Sequence, residues 1–163
     1  MSQRPVVHPA PLAVVEAVLT ASRVLVAVAA RSIAGAGQDI TIPQYRVLIV
    51  LASKGPARPG DLAEALAISS STTTRLCDRL ARKGLIFRER EAEAADRRAV
   101  SLGLTARGRA LVDEVTARRR TEIARIVDMV PQHDRSRLVK AFAAFASAAG
   151  EVPDAEWPER WEL

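Results

Sequence analysis

Residues Ile68 to Ile86 read ISSSTTTRLCDRLARKGLI, six hydroxyl residues in a row running into a strongly basic, apolar-periodic segment. The stretch is either a low-complexity linker or the start of a helix built to touch an anion. Helical spacing favours the second reading. It places Thr73, Leu76, Cys77 and Leu80 on one face, and Ser70, Ser71, Thr74, Arg75, Asp78 and Arg79 toward the other. Ser69 is then a sound N-cap, and the residues after it bring unpaired backbone N–H groups, hydroxyls and the positive end of the helix dipole together, an arrangement that binds phosphate. Small hydroxyl side chains also let such a helix enter a groove, and Arg75 is long enough to reach guanine O6 and N7. Taken alone, the segment could also be ordinary capping followed by a solvated face.

Its neighbours carry the reading further. A short helix over Pro59 to Ala67, with Leu62, Ala63 and Leu66 inward, joins it through a tight turn at Ala67 to Ser69, a helix-turn-helix pattern. Before that, Pro43 opens a helix running to Ser53 with Val47, Leu48, Val50 and Leu51 inward. On the other side Gly84 ends the basic helix as a left-handed cap. LIFRER and RAVSLGL then alternate apolar and polar residues around the polar turn EAEAADRR. A hairpin directly after a helix-turn-helix is a wing. Arg88, Arg90, Arg97 and Arg98 suit an adjacent minor groove, whose negative potential an inserted arginine can read. Asp96 stands two residues from Arg98, close enough to hold its guanidinium across the turn. The plain alternative for the tip is a solvated turn with an incidental ion pair.

Outside this core the chain is helical. Leu12 to about Ala34 is apolar on nearly every side, which predicts burial around most of its circumference and, in a chain this small, a partner subunit. Thr105 caps a long helix from Ala106 to about Val130 with Arg118 to Arg120 on its solvated side, and Pro131 breaks it. A last helix, about His133 to Ala149, carries Leu138, Val139, Phe142, Phe145 and Ala149 as packing surface. The expected organisation is an arm over 1–11, a dimerisation helix over 12–36, a winged helix-turn-helix lobe over 37–104, dimerisation helices over 105–149 and an acidic tail over 150–163. That tail contains both tryptophans, Trp157 and Trp161.

Bulk properties agree. The 163 residues carry a formal charge of +5, which favours an anionic partner, and 21 of the 24 basic residues are arginines, which suits phosphate recognition and equally fits a genome rich in arginine codons. The single Cys77 excludes an intrachain disulfide and falls on the inward helix face, as a structural thiol rather than a redox switch. His8 and His133 are far apart in sequence, so no metal site and no cofactor are expected. GAGQDITIP lacks dinucleotide-loop spacing. The N-terminus shows no signal-peptide pattern, and Glu16, Arg23 and Arg31 interrupt the apolar Leu12–Ile33 stretch, which argues against a membrane partner and for the cytoplasm.

The order of elements and the residues themselves resemble the MarR family of winged-helix regulators. The resemblance covers roughly Leu12 to Ala149. DRRAVSLGLTARG, Asp96 to Gly108, is similar to the family's wing signature followed by Leu-Thr and a glycine opening the next helix. TTTRLCDRLARKGLI resembles its recognition helix, and QYRVLIVLA and PGDLAEALAIS resemble the helices before it. Thr73 and Arg58 depart from the pattern, standing where an apolar residue and a capping Thr or Ser are usual. No cysteine lies in the first helix, where peroxide-sensing members keep theirs.

The resemblance implies a homodimer held by the first, fifth and sixth helices that reads a palindromic operator in double-stranded DNA. It also implies a repressor of nearby genes, released when a small anionic aromatic effector fills a pocket between the dimerisation helices and the DNA lobe. Ser70, Ser71, Thr74 and Arg75 would be the major-groove face, Arg98 the minor-groove arginine and Asp96 its orienting partner. Arg23, Arg31 and Tyr45 are the polar candidates near the expected pocket. A winged helix turned to protein interaction or scaffolding is the alternative. From Arg75 to Arg109 ten basic residues face five acidic ones, an excess that a protein-binding relic has little reason to keep. No catalytic motif is present, so an enzyme is not expected.

Overall fold

The computed structural model describes residues 12–90 and 100–151. The expected arm, the turn carrying Asp96, Arg97 and Arg98, and the tail beyond Glu151 lie outside these. The chain runs α1 (Leu12–Gly35), α2 (Ile42–Lys54), α3 (Pro59–Leu66), α4 (Ser70–Arg82), β1 (Ile86–Arg90), β2 (Val100–Leu104), α5 (Ala106–Asp128) and α6 (Gln132–Ala148). It is mainly helical with one antiparallel hairpin, as the sequence predicts.

Helix α2 is the centre of the core. Its start is a capping box: Thr41 Oγ1 accepts the Gln44 N–H at 3.4 Å, and Gln44 Oε1 accepts the Thr41 N–H at 2.9 Å, with Pro43 in the first turn. Tyr45, Val47, Leu48, Leu51 and Ala52 are buried, packed with Ile33 of α1, Leu62 of α3, Cys77 and Leu80 of α4, Leu102 of β2 and Val112 and Val115 of α5. Arg58 at the start of α3 makes no side-chain cap. Instead Asp61 reaches back to accept the Arg58 N–H at 3.3 Å, so the departure at Arg58 leaves the helix start half-capped.

The turn between α3 and α4 depends on Ala67, whose φ of 52° is left-handed without being glycine. Its N–H and that of Ile68 close α3 onto Glu64 O and Ala63 O at 3.0 and 3.1 Å. Ser69 then starts α4, its Oγ accepting the Thr72 N–H at 3.3 Å.

The hairpin pairs Ile86 with Leu104, Arg88 with Leu102 and Arg90 with Val100. It is sewn to the α2–α3 connection, since Ala57 and Leu102 exchange backbone hydrogen bonds of 3.0 and 2.9 Å.

Two expectations need correction. Helix α1 is not buried around most of its circumference: Val28, Ser32 and Ile33 are buried, while Leu12, Val14, Leu19 and Val26 are exposed, Leu12 to 75%. Helix α6 has no buried residue at all, and Phe145 is 55% exposed. The apolar surface read from the sequence is real, but one copy of the chain does not cover it. By length and composition α1 also passes as a membrane-crossing helix, with a mean hydropathy of 2.0 over its most apolar window. Its packing on α5 and the Arg31–Glu122 ion pair of 2.8 Å tie it instead to the helical body. The second correction concerns Arg118 to Arg120. Arg118 is exposed and bonds Glu114 at 2.9 Å, but Arg119 is half-buried with its Nε enclosed and lacking a partner.

Candidate nucleic-acid interface

Helix α4 divides sharply. Thr73, Cys77 and Leu80 are at most 1% exposed, whereas Ser70, Ser71, Thr74 and Arg75 face solvent. Thr73, the polar departure on the inner face, is reconciled by its hydroxyl, which donates to Ser69 O at 3.2 Å. The Thr74 hydroxyl donates to Ser70 O at 2.9 Å, leaving its lone pairs outward. Ser69, Ser71 and Thr72 share hydroxyl contacts of 3.2 and 2.9 Å around the cap. Arg75 makes no ion pair among the described residues, so its guanidinium is available to a ligand. With Arg79 and Arg82 it forms an exposed stripe at positions i, i+4 and i+7.

Wing and helix meet through one contact that the sequence reading missed. Arg88 of β1 bonds Asp78 of α4, and this pair holds the Arg88 guanidinium against the recognition helix rather than out toward the wing tip. The signal was present in the antiparallel fold-back, which returns the chain ten residues after Asp78 to the same helix. Arg90 lies at the last described register position of β1. Asp96, Arg97 and Arg98 fall outside the described residues.

The same pair borders Cys77. Burial pushes its thiol above the ordinary range, with the Arg88 charge opposing and Asp78 adding to the rise. A thiol so placed stays protonated at neutral pH.

The Leu-Thr-x-x-Gly segment after the wing has a structural explanation. Thr105 Oγ1 donates to Gly84 O at 2.7 Å and accepts the Gly108 N–H at 3.0 Å, while the Thr105 N–H reaches Leu85 O at 3.2 Å. One threonine thus caps α5 and fastens it to the end of α4. Gly108 permits this closeness, because a Cβ there would stand 2.0 Å from Leu85 O.

The three effector-pocket candidates do not converge. Arg23 is exposed and bonds Thr20 at 3.1 Å, and Arg31 is 60% exposed and held by Glu122. Tyr45 is buried in the core with its hydroxyl 3.4 Å from Thr116 Oγ1. Sequence reasoning passed over two other groups, one on α1 and one on α5. Ser32 Oγ and Arg119 Nε are enclosed without hydrogen-bond partners, a costly state for buried polar atoms. Ser32 follows Val28 at i+4 and Arg119 follows Val115 at i+4, so each continues a buried apolar line, and that misfit was legible in the sequence. Separately, α1 and α6 enclose an apolar groove of about 320 Å³ lined by Val18, Leu25, Leu138, Phe142 and Phe145. Among the described residues no cluster suited to a metal ion occurs.

Comparison with known proteins agrees with this geometry. The MarR family model matches residues 38–99. The HTH-type transcriptional repressor MdtR of Bacillus subtilis is 31% identical over 112 residues, spanning 69% of this chain and 71% of that protein. The crystal structure of RV1404 from Mycobacterium tuberculosis has a TM-score of 0.81 at 41% identity, covering 90% of this chain and 99% of that one. A mutant of S. aureus MepR, bound to an oligodeoxyribonucleotide, shares the fold at 24% identity with a TM-score of 0.61, over 82% of this chain and 96% of that one. The chain belongs to the MarR family of winged helix-turn-helix, DNA-binding transcriptional regulators, which are not enzymes.

Proposed function

We propose that the protein is a homodimeric repressor that reads a palindromic operator with two winged lobes and releases it when a small anionic aromatic compound enters the α1–α5 seam. The observation that carries the DNA reading is the division of α4, whose inner face is locked in the core while Ser70, Ser71, Thr74 and Arg75 face solvent. In this reading α4 enters the major groove, Arg75 reads a base edge, and Arg90, Arg97 and Arg98 of the wing approach the adjacent minor groove with Asp96 orienting Arg98, while Arg88, expected among them, is held by Asp78 against α4. MepR, which shares this fold, is bound to an oligodeoxyribonucleotide.

The dimer reading rests on the uncovered apolar surface. Among the described residues six large exposed hydrophobics lie on α1 and three on α6, more than a monomer leaves bare. Burying them between two copies would set the two α4 helices on one face of the assembly, about one helical turn or ~34 Å apart on DNA. The effector reading rests on Ser32 Oγ and Arg119 Nε, enclosed polar atoms without hydrogen-bond partners that an acceptor such as a carboxylate would satisfy. Such a regulator works in the cytoplasm, beside the chromosome.

Fluorescence polarisation at fixed moderate salt tests the proposal, comparing DNA from upstream of the protein's own gene with a scrambled duplex of equal length. A strong, steeply salt-dependent preference for the upstream DNA is expected. Equal and weak binding to this and to genome-wide selected fragments would favour a protein-interaction module instead. For the effector, aromatic carboxylates should raise the melting temperature of the wild type and not of Arg119→Gln.

A further inference from the structure

A second polar feature lies beside the recognition helix, away from the wing. Arg79, Arg82 and Lys83 at the end of α4 face Asp39, Thr41 and Gln44 at the start of α2 across a groove of about 370 Å³. Three cations here meet a single carboxylate. Lys83 bonds the backbone carbonyl of Asp39 and lies 3.5 Å from its carboxylate, while Arg79 and Arg82 are exposed and have no carboxylate partner among the described residues. The α4 C-terminus draws cations by its dipole, which accounts for one or two of them and leaves the groove an attractive site for acidic groups.

The chain supplies such groups close by. Glu151, the last described residue, is bonded to Arg46 of α2, so the segment that follows leaves from the surface of this same helix. That segment, residues 152–163, reads VPDAEWPERWEL and holds four carboxylates, Asp154, Glu156, Glu159 and Glu162, against one Arg160. Arg46 and Thr41 are five positions apart on α2, about 7.5 Å at the helical rise. Twelve residues of extended chain reach roughly 40 Å, so length does not limit the approach. Between the two points stands Ile42, 45% exposed, an apolar surface for an indole ring. Arginine faces in the groove offer a second, since guanidinium groups stack on tryptophan.

We propose that residues 152–163 dock across the first turn of α2 into the Arg79–Arg82–Lys83 groove, with their carboxylates on the cations and Trp157 or Trp161 against Ile42. The consequence rests on the DNA reading above. Arg79 and Arg82 continue the exposed stripe of Arg75, so a docked tail occupies cations that α4 would otherwise offer to phosphates, and tail and DNA compete.

Both tryptophans of the chain lie in this segment, so intrinsic fluorescence of the full-length protein, without DNA, reports on the tail alone. Acrylamide quenching at low salt should show protected indoles. The double charge reversal Arg79→Glu/Arg82→Glu, and separately neutralisation of the four carboxylates to amides, should each raise quenching about twofold or more, as should salt sufficient to shorten screening to ~3 Å. Arg79→Lys/Arg82→Lys should keep the protection. Circular dichroism confirms that each variant is folded. Indoles as accessible as a free tryptophan amide in the wild type, or protection untouched by charge reversal, would overturn the docking. Ending the chain after Glu151 should tighten DNA binding severalfold at low salt. Unchanged affinity would overturn the competition while leaving the quenching result to decide the docking, and a chain that binds no DNA in any form would fault the functional reading instead.

Discussion

Gly108→Ala should destabilise the fold, although the same change elsewhere in this protein should stabilise it. The new Cβ would lie 2.0 Å from Leu85 O, 3.0 Å from Leu85 C and 3.3 Å from Leu104 Cδ2. The first two are backbone atoms already held by the Thr105 N–H, so the end of α4 and the start of α5 must part by more than an ångström. Overpacking of this kind costs on the order of 1–3 kcal/mol. Parting also weakens the Thr105 bonds to Gly84 O and to the Gly108 N–H, each worth about 1 kcal/mol. Alanine's better helix propensity returns about 1 kcal/mol. The net is a loss of about 2 kcal/mol, which for a chain of this size lowers the melting temperature by roughly 4–8 °C. Gly60→Ala in α3 is the matched control, because a Cβ there meets nothing within 4 Å. It should gain about 0.4–1 kcal/mol by restricting the unfolded chain. Thermal and urea unfolding followed by circular dichroism, at one fixed protein concentration, compares the two. Shifts of the same sign, or a Gly108→Ala variant within about 0.5 kcal/mol of wild type by the same fits, would refute the close-approach reasoning.

Arg75→Ala should lower discrimination between operator and scrambled duplex by on the order of 1–3 kcal/mol in titrations at constant salt, and an equal loss on both duplexes would remove it from base reading. Phe142→Glu together with Phe145→Glu, both on the exposed face of α6, should convert the assembly to monomers in analytical ultracentrifugation, and an unchanged sedimentation coefficient would displace that face from the dimer interface. Cys77 should resist thiol reagents at pH 7 to 8 until the protein unfolds, reaction at the rate of a free thiol being the contrary result. Because its folded-state pKa is raised, its contribution to stability is full below the ordinary thiol pKa of about 8.5 and is lost as pH climbs through the folded value, so urea midpoints should fall only on the alkaline side.

The winged helix-turn-helix was legible because its signals are local. Ser69, Gly84, Thr105 and the period of Thr73, Cys77 and Leu80 each report on a few neighbouring residues, and the structure uses each as expected. What escaped notice depends on pairs distant in sequence. The fold-back returns Arg88 to α4 without singling out Asp78 as its partner, and nothing near Gly108 announces the Leu85 carbonyl that requires it. The pocket candidates failed to gather for a related reason. Arg23, Arg31 and Tyr45 stand out by polarity, but polarity does not reveal which groups already have partners, and all three do. Ser32 and Arg119 interrupt buried apolar lines already in the sequence, but their lack of hydrogen-bond partners shows only in the structure. The burial of α1 was overestimated because an apolar circumference shows that cover is needed without saying which chain provides it.

Helix α5 joins the two halves of the proposed mechanism. Its 23 residues span about 34 Å as one uninterrupted helix. At its start Thr105 and Gly108 bind it to the end of the recognition helix, so α4 cannot move far without it. Val112 and Val115 then pass through the core, fixing a fulcrum under α2. Beyond the fulcrum α5 meets α1, with Glu122 holding Arg31 and the Arg118 guanidinium against Gly35. In the proposed release, a carboxylate bound by Ser32 and Arg119 would satisfy two enclosed polar atoms that lack hydrogen-bond partners, and its effect on DNA binding depends on how differently it binds the two states of the protein. A rigid element pinned at its middle passes a change at one end to the other. In the proposed mechanism, satisfying Ser32 and Arg119 would supply a free-energy difference between empty and filled states, and α5 would be the element that conveys it to the grip of α4 on DNA.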